Sequence, residues 1–200
     1  MNFAVLASGN GSNLQAIINA CRKGKVRAKL AAVISDRSQA FALERARKAK
    51  VPCVLPLDPK GFQDREDFDR RLVEILAENK VDFVVLAGFM RILSPYFIQS
   101  FRDRILNIHP ALLPAFKGGH AIADALAYGV KVTGVTVHFV DEEVDHGPII
   151  LQEAVAIRPK DTAETLAFRI HKVEHRLYPA AIDLFARGKL RLAGRVVRIG

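Results

Sequence analysis

In its first half the chain alternates short apolar runs with longer stretches whose apolar residues return every three or four positions. "FAVLAS" (Phe3–Ser8), "KLAAVISD" (Lys29–Asp36), "PCVLPL" (Pro52–Leu57) and "DFVVLAG" (Asp82–Gly88) are short and nearly unbroken in apolar character. Such runs suit strands covered on both faces. The stretches between them, 12–24, 39–50 and 64–79, carry helical spacing. In the first of these, Leu14, Ile17, Ile18 and Cys21 form one stripe and Gly24 supplies a stop. Strand and helix in alternation predict a parallel sheet with helices on both sides.

"RILNIHP" (Arg104–Pro110) predicts a fifth strand, and then the rhythm changes. "KVTGVTVHFV" (Lys131–Val140) and "PIILQEAVAI" (Pro148–Ile157) are joined by an acidic loop too short for a crossover helix, so they are expected to run antiparallel. A long helix is expected from Asp161 to about Arg187, followed by two short strand-like pieces. The fold class expected is α/β: a Rossmann-like, mostly parallel twisted sheet flanked by helices, with antiparallel strands in the C-terminal half. Without repeats, low-complexity tracts or a linker, 1–200 reads as one domain.

Half of the residues are hydrophobic, enough for a sizeable core, and no apolar run reaches the length of a membrane span. Met1-Asn2-Phe3 reads as the start of a strand and not as a secretion signal, so a cytoplasmic location is expected. Cys21 and Cys53 have no metal-type spacing and lie on apolar stretches, which fits reduced core thiols. The formal charge of +9 attracts anions: nucleic acid, phosphate esters or polycarboxylates. The Arg-rich tail, Arg187–Arg198, has no interleaved aromatic residues and the chain has no Trp, which argues against a stacking platform for single-stranded nucleic acid.

Three places carry candidate chemistry. "SGNGSN" (Ser8–Asn13) follows the first strand and opens the first helix. Gly9 and Gly11 permit a sharp turn and a close backbone approach, while Ser12 and Asn13 can cap the helix. Free amides at a helix start bind phosphate. A dinucleotide fingerprint would need glycine where Leu14 stands, and the P-loop lysine is missing too. In "LNIHPALLP" (Leu106–Pro114), Asn107 and His109 are two apart on a strand and project together, while Ile108 points to the core. An amide and an imidazole aimed at one point can stabilise an oxyanion in acyl transfer. The acidic turn "DEEVDHGP" (Asp141–Pro148) offers Asp145, which beside His109 would favour the imidazolium. "HKVEH" (His171–His175) matches a zinc-protease helix pattern, but a third protein ligand would have to come from elsewhere. No metal is expected.

These segments, with "SGNGSNLQAII", "VVLAGFMRILSP", "VTVHFVDEEVDHGPIILQ" and "EHRLYP", resemble the phosphoribosylglycinamide formyltransferases of purine biosynthesis, in their single-domain bacterial type. The resemblance runs from the first strand into the last long helix. It implies formyl transfer from 10-formyltetrahydrofolate, as cosubstrate, to the primary amine of glycinamide ribonucleotide. It implies catalytic roles for Asn107, His109 and Asp145, and substrate contacts from Gly11, Ser12, Asn13 and Glu174. It places the folate on Arg65, on Met90, Arg91, Ile92 and Leu93, and on Asn107. It assigns 1–105 to a ribonucleotide phosphate-binding half and 106–200 to a catalytic and folate-binding half. The partners implied are these two small molecules, with no nucleic acid and no membrane, in a monomer or homodimer. After Pro114 the chain departs from a common pattern of the family: Lys117 replaces a proline, and His120 stands without a second histidine, since Ile122 takes that place.

The rivals are a formyltetrahydrofolate hydrolase, another folate-dependent formyltransferase such as the one acting on methionyl-tRNA, and a non-catalytic nucleotide- or folate-binding protein on the same fold. The first two normally carry an additional domain, for which 200 residues leave no room.

Overall fold

The computed structural model describes residues 1–200. The expected elements form, with ends trimmed by one or two residues. In chain order they are β1 (Asn2–Leu6), α1 (Ser12–Arg22), β2 (Lys29–Ser35), α2 (Phe41–Lys48), β3 (Cys53–Pro56), α3 (Arg65–Glu78), β4 (Phe83–Leu86) and α4 (Pro95–Ser100). The second half adds β5 (Ile105–His109), α5 (Ala121–Tyr128), β6 (Val132–Phe139), β7 (Ile149–Ala156), α6 (Ala163–Ala186), β8 (Leu190–Ala193) and β9 (Val196–Ile199).

All nine strands join one sheet, in the order β3-β2-β1-β4-β5-β6-β7-β9-β8. β1 to β5 pair in parallel, and β6 and β7 then run antiparallel, as their short connection requires. β9 returns parallel to β7 through the single pair Ile149↔Val196, and β8 closes the edge antiparallel to it. α1, α2 and α6 cover one face, over a core that includes Phe3, Val5, Leu14, Val85 and Tyr178. α3 and α4 cover the other, over Leu6, Phe68, Leu72, Leu86 and Phe97. This two-sided burial is why the parallel strands read as unbroken apolar runs.

α5 was not expected. It is short, its buried positions are only Ala121 and Ala125, and it ends on Gly129 at φ 81. Small residues give a weak apolar stripe, and the segment reads as loop without its neighbours. Cys21 and Cys53 are free thiols, partly buried against the two cores. Burial pushes the Cys21 thiol up to about 11, which keeps it protonated and unreactive. No helix is long and apolar enough to cross a membrane.

The strand order reverses at β1–β4, where chain connections leave in opposite directions and open a crevice at the carboxyl ends of the strands. One side chain ties α6 to that edge. The buried Tyr178 hydroxyl lies 2.7 Å from the carbonyl oxygen of Leu86, at the end of β4, and 2.9 Å from that of Leu106, inside β5. Burial pushes the phenol well above its ordinary pKa, so it keeps its one proton, which the two carbonyls share. Tyr178→Phe is expected to cost about 1–3 kcal/mol of stability, the penalty for leaving buried acceptors short of their donor. Urea unfolding of the two proteins measures it, and equal midpoints would contradict it.

Candidate functional site

The phosphate-loop candidate is shaped by α2. Gly11 is the residue before α1, at φ 75 and ψ 32, and a Cβ there would come within 2.8 Å of Ala42. Only glycine fits that conformation in that space. Ala42 donates its N–H to the carbonyl of Gly9 at 3.1 Å, and Arg45 donates to the carbonyl and side-chain oxygens of Asn10 at 2.9 and 3.0 Å. The expected side-chain cap does not form: neither Ser12 nor Asn13 caps α1. Asn13 instead donates its amide to Glu174 Oε2 at 3.0 Å, and the same oxygen lies 2.8 Å from His171 Nδ1. That bond turns the Asn13 side chain toward α6, and its Oδ1, the atom that would have accepted a helix-start N–H, is buried without a partner. The amides of α1 therefore remain free at the cleft.

Across the crevice, the ends of β5 and β6 face each other. The register pairs Asn107 with His138 and His109 with Thr136. Asn107 and His109 project to one side, as expected, and Ile108 is buried in the core below α6. Both side chains meet Asp145. Asn107 Nδ2 donates to Asp145 Oδ1 at 3.2 Å, and His109 Nδ1 lies 3.2 Å from Asp145 Oδ2. Asp145 Oδ2 also accepts the N–H of Gly118 at 2.8 Å. His109 Nε2 lies 2.7 Å from the carbonyl oxygen of Phe116. Both neighbours of the ring are pure acceptors, so both contacts are hydrogen bonds only when the imidazole carries both protons.

His138 escaped the sequence reading. It is buried, with Nδ1 2.6 Å from the carbonyl of Phe139 and Nε2 3.2 Å from Asn107 Nδ2. The carbonyl can only accept, so the proton sits on Nδ1 and Nε2 receives the Asn107 amide. Each Asn107 amide hydrogen thus has a partner, and Nδ2 and Oδ1 cannot exchange places without losing both bonds. His138 Nε2 is 3.6 Å from Asp145 Oδ1, longer than a hydrogen bond. Burial by itself raises the pKa of Asp145, but the nearby His138, the Gly118 N–H and the charge of His109 outweigh it and hold the carboxyl below its usual value.

The backbone around this cluster is unusual. Asp145 at φ 48 and Phe116 at φ 53 occupy the left-handed region, which non-glycine residues rarely visit. Gly147 is forced: a Cβ there would lie 1.9 Å from the carbonyl oxygen of Phe139. Thr136 fastens the loop from the other side, donating to the Ala111 carbonyl at 2.7 Å and accepting the Leu113 N–H at 3.0 Å.

A cavity of about 720 Å³ connects the two halves. Gly11, Ser12, Asn13, Met90, Arg91, Ile92, Leu93, Asn107, His109, Asp145 and Glu174 all line it. Arg65 does not: it is exposed at the first turn of α3, away from the lining. His120 is also exposed and outside it, whereas its neighbours Gly118 and Gly119 line the cavity. Ser8 Oγ accepts the Met90 N–H at 2.9 Å, so the Ser8–Asn13 loop and the 90–93 edge are fastened to each other. In "HKVEH", His171 and His175 stack with ring centroids 6.2 Å apart, and no group of three or more His, Cys, Asp or Glu is placed to hold a metal.

The family described as Formyl transferase matches residues 1–182. The chain belongs to the formyl transferase family. Among its members, the phosphoribosylglycinamide formyltransferase of Escherichia coli (strain K12) is 46% identical over 192 residues, covering 96% of this chain and 90% of that one. The protein of the same name from Bacillus subtilis (strain 168) is 43% identical over 180 residues, covering 90% and 92% of the two. The crystal structure of glycinamide ribonucleotide transformylase 1 from Symbiobacterium toebii matches with a TM-score of 0.97 and 52% identity, over 100% of this chain and 93% of that one.

The depressed pKa of Asp145 predicts a sign. Its ionised form stabilises the fold above the unfolded value of about 4, and that contribution is lost as pH falls through the lower folded value. The stability gap between the unaltered chain and Asp145→Asn is therefore expected to be widest near neutral pH and to shrink below about pH 4. Urea titrations from about pH 7 down to about pH 3 would show it. A gap that widens on acidification would contradict the assignment.

Proposed function

We infer that the chain transfers the formyl group of 10-formyltetrahydrofolate to the primary amine of glycinamide ribonucleotide, giving formylglycinamide ribonucleotide and tetrahydrofolate in de novo purine biosynthesis. The observation that carries this reading is the Asn107–His109–Asp145 cluster at one end of a cleft whose other end is the free start of α1. Relatives matched over most of both chains bear the name of that activity.

The geometry supports a role for each residue in this reading. The ribonucleotide phosphate sits on the amides of Gly11, Ser12 and Asn13, and Glu174 accepts hydrogen bonds from the sugar or the amine. The folate lies along Met90, Arg91, Ile92 and Leu93, with Asn107 at the formyl end. Arg65 lies apart from the cavity, so its part in this reading is to draw the anionic tail of the folate from outside. The functional division at 105/106 belongs to the same reading, with Glu174 reaching back to the phosphate loop and the 90–93 edge reaching forward to the catalytic strand.

In the reaction, the amine nitrogen attacks the formyl carbon and the carbonyl oxygen becomes an oxyanion. Asn107 Nδ2, releasing one of its two resting partners, and the His109 imidazolium donate to it. For this the His109 Nε2–H leaves the Phe116 carbonyl for the stronger, charged acceptor. Asp145 keeps the imidazole doubly protonated and takes the proton that the attacking amine must lose. That proton passes to the folate nitrogen as its bond to carbon breaks. No side chain forms a covalent intermediate.

Asn107→Ala removes one oxyanion donor and is expected to lower kcat about a hundred- to thousandfold, with ribonucleotide affinity nearly unchanged. Steady-state kinetics with calorimetric titration of the ribonucleotide separates the two. A variant with normal kcat would remove Asn107 from the mechanism.

A further inference from the structure

The basic C-terminal hairpin lies beyond the residues matched to the family, yet it reaches the catalytic loop. β9 joins the sheet through Val196 opposite Ile149, the first residue of β7. That register sets Arg195, in the turn between β8 and β9, beside the end of the Asp141–Pro148 loop. Its guanidinium grips one residue there with two hydrogen bonds. Nη2 donates to the carbonyl oxygen of His146, and Nη1 donates to His146 Nε2 at 3.1 Å.

The imidazole is set up to receive it. His146 Nδ1 lies 2.8 Å from Asp141 Oδ2, a carboxylate that only accepts, so Nδ1 carries a proton, and Arg195 Nη1 sits 3.1 Å from Nε2 and 3.4 Å from Nδ1. Three groups thus stand in series: the guanidinium, the imidazole of His146 at the end of the loop, and the carboxylate of Asp141 at its start. Asp145 is the residue immediately before His146. It is held in the left-handed region, and the next position, Gly147, cannot move toward Phe139 without collision. Such a loop has little freedom in principle, but its tip carries four acids, Asp141, Glu142, Glu143 and Asp145, whose mutual repulsion favours opening. The Arg195 guanidinium holds the far end of this stretch, at His146.

We propose that Arg195 is a positioning residue for Asp145, acting through a two-point grip on His146 and giving the C-terminal hairpin a part in catalysis. The proposal rests on the role given to Asp145 above. Isolated contacts of exposed arginines contribute little in general. This one differs in gripping a backbone carbonyl and a ring already bonded to Asp141, one residue from the reacting carboxylate.

The test uses the full chain and the variants Arg195→Met, Arg195→Lys, His146→Ala and Asp145→Asn. Arg195→Met is expected to lower kcat about tenfold, the loss that goes with one hydrogen bond to a charged group, with KM for both substrates unchanged. Arg195→Lys keeps a donor for the carbonyl and is expected to recover part of the loss. His146→Ala keeps the carbonyl and loses the ring, so it is expected to fall between Arg195→Met and the unaltered enzyme. Hydrogen exchange is expected to quicken at the amides of 141–147 in Arg195→Met and nowhere in the parallel strands. A native kcat in Arg195→Met overturns the proposal. So does a loss that tracks only the unfolded fraction, with kcat per folded molecule unchanged. A crippled Asp145→Asn beside a native Arg195→Met overturns the grip alone, whereas a native Asp145→Asn overturns the reading of Asp145.

Discussion

The carboxylate of Asp145 is the point on which the Asn107–His109 end of the cleft depends. It receives the amide of Asn107, faces the ring of His109 and accepts the backbone N–H of Gly118. Those three groups come from a parallel strand and from the loop after it, while the carboxylate comes from a turn in the antiparallel half. The Asn107–His138 contact and the Thr136 bonds to Ala111 and Leu113 join the same two halves beside it. The ring of His109 stands between this carboxylate and the carbonyl of Phe116, two groups that only accept.

Around this centre the chain accepts costly backbone. Asp145 and Phe116 adopt positive φ, and Gly147 fits only because it lacks a Cβ. Strain of this kind persists where surrounding contacts outnumber it, and here they do. Thr136 holds the Ala111–Leu113 segment, Tyr178 holds the ends of β4 and β5, and Arg195 grips His146. The phosphate end is treated in the same manner, with Gly11 pressed on Ala42 and Arg45 clasping Asn10. An oxyanion site works because its dipoles are fixed before the charge develops, and this rigidity suits the role proposed for Asn107 and His109.

Much of this was legible from residue order. The parallel half announces itself through unbroken apolar runs, and the change to antiparallel pairing through a connection too short for a helix. Asn107 and His109 share a face because strand side chains repeat every two residues. What escaped depended on distance in space. His138 lies opposite Asn107 only through the β5–β6 register, which no local pattern fixes. Asn13 looked like a helix cap because the carboxylate that claims it, Glu174, is far away in sequence. Glu174 and the 90–93 edge were reachable only through resemblance to a family, since a strand end and a helix carboxylate have no local signature. α5 was invisible because alanines make a faint stripe.

The central claim is that the cleft joins a phosphate-bearing amine to a formyl donor. The most direct measurement follows folate product by absorbance from 10-formyltetrahydrofolate and the enzyme, with and without glycinamide ribonucleotide. Product that forms only in the presence of the ribonucleotide, with one formylated amine per folate released, is the result predicted here. Product at the same rate without the ribonucleotide would contradict the account and make the site a hydrolase.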